Sequence, residues 1–214
     1  MGKKFDLKKG ELIRHVNKAA TAIADGFIIV IPMEHSYAFA CDAFRADTVR
    51  AMHVLRGDPL FTAAQVMVGS VKTTEGIIRE ITPEIKGLMK EFWPGMVSLN
   101  LRPQLGLNWD LGDDNELDRV SVRIPRAKFA KALAAQTGPL AIASAARFGM
   151  ASPKSLNDFS VSDSDVALIF DNGTLRKGPL STVIEADETG VRILRIGAVS
   201  LDEIQAIVPG ATGE

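Results

Sequence analysis

Glu34, His35 and Ser36 stand side by side between two apolar runs, Phe27–Ile31 and Tyr37–Cys41. A carboxylate, an imidazole and a hydroxyl in one turn could bind an anion or move a proton, and histidine is the side chain that titrates near neutrality. Phe27–Ile31 is the continuous β-branched run of a strand buried on both faces, and Pro32 closes it because proline gives no amide proton to a ladder. Polar residues beyond a strand end are where an α/β sheet keeps its cleft. They fit an ordinary polar turn equally well. Other polar residues also fall at strand ends or turns: Arg123 before Ile124-Pro125, Ser144 after Leu140–Ala143, Ser181 and Thr182 after a Gly-Pro turn, and Arg195 before Ile196-Gly197. Arginines and hydroxyls meeting in one cleft suit phosphate and ribose oxygens. Each alone reads as a surface charge or a local turn bond.

Familiar catalytic signatures are missing. The chain has no G-x-x-x-x-G-K-[ST], G-x-G-x-x-G or G-x-S-x-G stretch, so neither a P-loop, a Rossmann nucleotide site nor a nucleophile elbow is expected. His15, His35 and His53 lack ligand-spaced companions, so no tightly bound metal is expected. His15 and His53 read as surface residues of helices. Cys41, between Ala40 and Asp42 in an apolar strand, reads as packing rather than as a nucleophile. Arg56-Gly57-Asp58 reads as a helix end.

The elements that must position these residues follow from periodicity. Leu12, Val16, Ala19, Ala20 and Ile23 are spaced as one helical face ending at Gly26. Asp47 is placed to cap a helix carrying Val49, Met52 and Leu55. Gln65–Val68 is a short strand, and Thr82-Pro83 opens a helix that ends at Trp93. Val97–Leu101 and Arg119–Ile124 alternate, predicting strands with one solvated face, joined by an acidic surface loop over Gly106–Asp118. Ala127–Ala135 is helical, Leu140–Ala143 and Val166–Phe170 are buried strands, and Pro153–Phe159 is a short helix. Thr182–Ala186 and Val191–Ile196 make a hairpin, and Ser200 with Glu203 forms the capping box of a last helix. Helix and strand alternate first, and consecutive strands come last: one α/β domain with a mixed sheet over 11–208, flanked by tails at 1–10 and 209–214.

Composition sets broad limits. The chain has 214 residues, 46% of them apolar, enough for a sizeable core. Its 25 Lys+Arg against 26 Asp+Glu give no general affinity for polyanions or membranes. A single cysteine allows no intrachain disulfide, and no apolar run reaches membrane-spanning length or forms an N-terminal signal core. A soluble, cytoplasmic protein is expected.

Six segments, in order, resemble the YrdC-like family of threonylcarbamoyl-AMP synthases. Pro32-Met33-Glu34-His35-Ser36-Tyr37-Ala38-Phe39 lies over the family's P-T-D-T-V-Y-G-L, and Trp93-Pro94-Gly95-Met96-Val97-Ser98 over W-P-G-P-L-T. Val122-Arg123-Ile124-Pro125 matches V-R-x-P, and Ser144-Ala145-Ala146-Arg147-Phe148-Gly149 falls on S-A-N-x-S-G. Ser181-Thr182-Val183-Ile184 matches S-T-V-[IV], and Arg195-Ile196-Gly197-Ala198 matches R-x-G-A. The resemblance implies a twisted mixed sheet with helices around an open central cavity. It also implies condensation of L-threonine, bicarbonate and ATP, with magnesium, to threonylcarbamoyl-AMP and pyrophosphate in tRNA modification. Arg56, Arg123, Ser144, Ser181 and Arg195 would then face nucleotide and phosphate, and Pro32, Glu34, His35 and Tyr37 the substrate pocket. Some members bind tRNA or double-stranded RNA, for which Arg14, Lys18, Arg45, Arg50 and Arg56 are candidates here.

The chain departs from the family at several of these places. The family's K-x-R becomes Arg56-Gly57-Asp58, which would set a carboxylate against triphosphate oxygens, a reversal worth several kcal/mol at contact. Met33 replaces a threonine, Ala146 an asparagine and Phe148 a serine. These changes favour a relative that binds a nucleotide or RNA with the synthase reaction reduced or lost. The alternatives are an active synthase with a rearranged site and a structural relative with a vestigial pocket.

Overall fold

The apolar run at Ile29–Pro32 is the second of eleven strands in one mixed sheet. The computed structural model describes residues 2–107, 109–114, 118–159 and 166–213. In chain order the first half holds β1 (Lys3–Asp6), α1 (Leu12–Ala24), β2 (Ile29–Pro32), β3 (Tyr37–Asp42), α2 (Ala46–Arg56), β4 (Gln65–Met67), α3 (Val71–Ile77) and α4 (Pro83–Phe92). Then come β5 (Val97–Leu101), β6 (Val120–Arg123), α5 (Lys128–Thr137), β7 (Leu140–Ser144), a 3-10 turn at Leu156–Asp158 and β8 (Leu168–Asp171). The chain closes with β9 (Thr182–Asp187), β10 (Gly190–Arg195), α6 (Leu201–Gln205) and β11 (Thr212–Gly213). The strand order is β1-β8-β2-β3-β7-β4-β6-β5-β9-β10-β11, an open sheet.

Side chains alternate between the faces of a sheet, and here the two faces have different cover. On one face, Val30, Phe39, Cys41, Val66, Leu99, Val122 and Ile184 belong to a core that α2, α4 and α6 close with Met52, Leu88 and Ile204. On the other face, Ile29, Ile31, Ala38, Ala40, Met67 and Ile142 pack against α1 and α5 through Val16, Ala19, Ile23, Phe129 and Leu133. That second core stops at β4. Beyond it the same face carries Gln65, Ser121, Arg123 and Ser98, whose register neighbours Val66, Val122 and Leu99 point the opposite way. Half of one sheet face is therefore polar and uncovered by helix.

Most expected elements are present: the amphipathic α1, the β9–β10 hairpin, α4 with Thr82 Oγ1 accepting from the Ile85 amide, and the Ser200–Glu203 capping box. Several details differ. Residues 3–6, expected in a solvated tail, form an edge strand parallel to β8, and Thr212–Gly213 pairs with β10. Phe5 stacks on Phe170, a contact that a short KKFD stretch does not advertise. Helix α3, capped by Ser70, was not expected, because Val, Thr and Gly are weak helix formers. Asp47 lies inside the first turn of α2 rather than capping it. Of the expected Gly106–Asp118 loop, residues 108 and 115–117 lie outside the described residues. Among the described residues no helix is long and apolar enough to cross a membrane.

Cys41 is wholly buried on β3, and burial, reinforced by Asp42 and Asp47, pushes its thiol up to about 12. An unfolded thiol ionises near about 8.5, so this group contributes stability below that pH and loses it progressively as pH rises towards the folded value. The native chain should resist an aromatic disulfide reagent at pH 8 and react only when unfolded in guanidinium. Rapid reaction of the native chain would place Cys41 at the surface.

Candidate functional site

The uncovered half of the sheet forms the floor of a cleft of about 660 Å³, a volume typical of small-molecule sites. Its lining includes Glu34, His35, Gln65, Arg123, Ser144, Lys154, Ser181 and Arg195. Six residues expected from the sequence thus meet here: Glu34, His35, Arg123, Ser144, Ser181 and Arg195. They come from the β2–β3 turn, the ends of β6, β7 and β10, and the residue before β9.

Glu34 organises one wall. Pro32 pairs with Tyr37, so residues 33–36 are a tight turn, closed by the Met33 amide on the Ser36 carbonyl. From that turn Glu34 Oε2 accepts from Arg123 Nη2 at 3.1 Å, and Oε1 accepts from the Arg126 amide at 2.7 Å. The carboxylate therefore ties β6 to the start of α5. Both side chains are nearly buried, at 10% and 6% exposure. Arg123 Nη1 has only the Met96 sulfur, and its buried Nε has no protein partner among the described residues. Arg123 itself lines the cleft, although its buried Nε faces away from solvent. His35 Nδ1 lies 3.1 Å from the Arg176 carbonyl. Gly178 passes so close over the His35 ring that a β-carbon there would collide with it.

Hydroxyls and Arg195 complete the lining, with Ser144 beside the turn, across from Ala38 of β3. Ser144 Oγ donates to Ser152 Oγ at 2.8 Å. Arg195 donates through Nε and Nη2 to the Ser181 carbonyl at 3.2 and 2.9 Å, which anchors its guanidinium. Partial burial draws its pKa down from the usual arginine value, yet a guanidinium stays charged at neutral pH. Gln65, Ser98, Ser152 and Lys154 belong to this neighbourhood and were not singled out from sequence. The one signal for Gln65 was a polar residue opening an apolar strand.

Three expected residues sit elsewhere. Tyr37 faces the other side of the sheet, as parity with Ala38 requires. Its hydroxyl donates towards Asp171 and the Gly173 carbonyl and accepts from the Asn172 amide. Burial, and then the adjoining Asp171 carboxylate, hold its phenol above the ordinary tyrosine range. Pro32 lines a second cleft, of about 640 Å³, on the far side of the turn with Lys128, Phe129 and Arg176. Arg56 lies outside the main cleft's lining. Its Nη1 donates to the Ser144 and Ala146 carbonyls, and its Nε donates to Asp58 at 2.8 Å.

The expected clash between Asp58 and triphosphate oxygens has no place in this geometry. The Asp58 side chain is 1% exposed, held 2.8 Å from both Arg56 Nε and His53 Nδ1. Gly57 in the left-handed conformation turns the chain back over the end of α2 and makes this fit possible. Phe148 is 56% exposed and is not part of the cleft lining. His15 and His53, expected at the surface, are both inside: His15 contacts the Lys9 carbonyl and the rings of Phe5 and Phe170, and His53 bonds the Leu111 carbonyl as well as Asp58. The candidate basic face is largely engaged, with Arg14 on Glu11, Arg50 on Asp110 and Asp114, Arg56 on Asp58, and Arg45 on the Ala24 carbonyl.

Asp58→Arg would set a second guanidinium beside Arg56 inside the protein. It should cost at least about 3 kcal/mol of stability, the scale of an uncompensated buried charge. ATP affinity by titration calorimetry should not improve. Tighter ATP binding by a normally folded variant would return position 58 to the cleft.

A family model for the Sua5/YciO/YrdC domain, described as "Telomere recombination", matches residues 21–197. A Mycobacterium leprae protein provisionally named a threonylcarbamoyl-AMP synthase is 30% identical over 202 residues, spanning 92% of this chain and 91% of its own. The threonylcarbamoyl-AMP synthase of Pyrococcus abyssi is 30% identical over 196 residues, spanning 89% of this chain and 56% of its own. A crystal structure of P. abyssi Sua5 with L-threonine superposes with a TM-score of 0.88 at 26% identity, covering all of this chain and 62% of that one. Escherichia coli YciO shares the fold, with a TM-score of 0.79 at 20% identity over 95% of this chain and all of its own. Sequence match and sheet architecture agree: the chain belongs to the Sua5/YciO/YrdC family.

Proposed function

We propose that the chain is a threonylcarbamoyl-AMP synthase, the reading for which its relatives are named, acting in tRNA threonylcarbamoyl modification in the cytoplasm. The observation that carries this reading is the meeting of Arg123, Ser144, Ser181 and Arg195 in one cleft. Of the departures that favour a reduced or lost reaction, Asp58 is enclosed by Arg56 and His53 and Phe148 lies outside the cleft lining, while Met33 lines the cleft. The P. abyssi Sua5 structure is complexed with L-threonine, and L-threonine is the amine substrate proposed here.

The reaction joins anions. The threonine amine bonds to the bicarbonate carbon with loss of water, and a carbamate oxygen bonds to the α-phosphorus of ATP with loss of pyrophosphate. No protein nucleophile is required, so the protein's contribution is positioning and charge neutralisation. Arg195, held by the Ser181 carbonyl, offers its remaining donors to phosphate or carboxylate oxygens. Arg123 supplies a second cation whose charge is partly offset by Glu34. Lys154 adds a third from the loop after β7. Magnesium supplies charge neutralisation on the triphosphate when bound. Among the described residues no three His, Cys, Asp or Glu side chains come together to hold it, so this reading has it arrive with the nucleotide.

Incubation with ATP, L-threonine, bicarbonate and magnesium should release pyrophosphate, and omitting L-threonine should abolish the release. Arg195→Ala should lower kcat/KM by about tenfold or more, the worth of a hydrogen bond to a charged group. Pyrophosphate no higher than in a protein-free blank would contradict the reading.

A further inference from the structure

A file of hydrogen bonds runs beneath the cleft from Gln65 to Ser181, both of which line it. Gln65 on β4 donates through Nε2 to Ser98 Oγ on β5 at 2.8 Å and to Ser121 Oγ on β6 at 3.0 Å. Ser98 Oγ, fully buried, donates to Ser181 Oγ at 3.1 Å. Arg195 Nη2 approaches the same Ser181 Oγ at 3.2 Å. The file thus runs over neighbouring strands from β4 to the residue preceding β9.

Counting protons gives the file a direction. A hydroxyl has one proton and two acceptor lone pairs, and a primary amide nitrogen has two protons and accepts nothing. Gln65 Nε2 places its protons on Ser98 and Ser121. Ser98 accepts there and so directs its own proton to Ser181. Ser181 Oγ then accepts twice, from Ser98 and from Arg195. Its own proton has no protein acceptor in this file, and Ser181 lines the cleft. If the Gln65 amide were reversed, its oxygen would draw the Ser98 proton away, Ser98 would accept from Ser181, and the wall would lose its donor.

We infer that Gln65 is a positioning residue that turns the Ser181 hydroxyl proton into the cleft, so that this point of the wall selects an anionic or carbonyl oxygen of the ligand. The inference rests on the proposed use of this cleft for its ligand, while the direction of the file rests on the assigned orientation of the Gln65 amide, with Nε2 towards Ser98 and Ser121. Gln65 itself need not touch the ligand. With Arg195 beside it, the Ser181 hydroxyl completes a paired donor surface fit for a carboxylate or phosphate edge.

Neutron diffraction from deuterium-exchanged crystals reads the direction without any ligand. Nuclear density should place the Gln65 amide deuterons on Ser98 and Ser121, and the Ser181 deuteron towards the cleft. A Ser181 deuteron on Ser98 overturns the inference. In solution, ATP and L-threonine are titrated separately into the parent, Gln65→Met, Ser181→Ala and the double variant. Gln65→Met, of similar volume and without charge, removes both amide donors, so it should weaken by about tenfold whichever ligand Ser181→Ala weakens, and should add nothing in the Ser181→Ala background. Independent, additive losses, or parental affinity in Gln65→Met, overturn it. Gln65→Leu, also uncharged, carries the same test should the methionine variant fail to fold. If the parent binds neither probe, the synthase reading falls, and the nuclear density still decides the direction of the file.

Discussion

Uneven cover of one sheet face is the constraint from which the rest of this molecule follows. A strand buried on both sides must be apolar on both, and β2 and β3 are. Helices α1 and α5 cover β8, β2, β3 and β7 and reach no further than β4. From there the opposite face continues as core while this face must be polar, which is why β4, β5 and β6 carry Gln65, Ser98, Ser121 and Arg123 on it. The cleft is the place where the second helical layer ends.

The boundary between covered and open halves is held by charge. Glu34 reaches from the β2–β3 turn to Arg123 in the open half and to the Arg126 and Ala127 amides just before α5 in the covered half. Such a buried pair gains little net stability over an apolar one, because desolvation offsets attraction, but losing one partner is costly. Its value here is positional: it keeps the Arg123 guanidinium at the cleft edge while leaving Nε without a protein partner among the described residues. Arg56, Asp58 and His53 make a comparable buried set at the end of α2. There the charges are consumed in holding backbone carbonyls of the β7 loop, and none faces the ligand space.

Legibility in the sequence followed the range of the forces involved. Local signals were sufficient for α1, for the proline-opened α4, for the β9–β10 hairpin and for the last capping box, since each is decided within a few residues. Strand ends bearing Arg123, Ser144, Ser181 and Arg195 could be marked as site candidates one at a time, but their meeting depends on a strand order that no short window contains. Tyr37, which the resemblance places in the substrate pocket, lies on the opposite face because parity along β3 sends it there. Asp58, which the resemblance sets against triphosphate oxygens, is enclosed instead, because His53, five residues back on a helix, comes within its reach through the left-handed Gly57. Residues 3–6 looked like a tail because their pairing partner, β8, lies more than 160 residues away.

If ATP and L-threonine share the half-open face of the sheet, a crystal structure with L-threonine and a non-hydrolysable ATP analogue should show ligand density over β4, β6, β5 and β9, with phosphate or carboxylate oxygens within hydrogen-bond distance of Arg195 and the Ser181 hydroxyl. Density confined to the far side of the 33–36 turn, against Lys128 and Arg176, would contradict that arrangement.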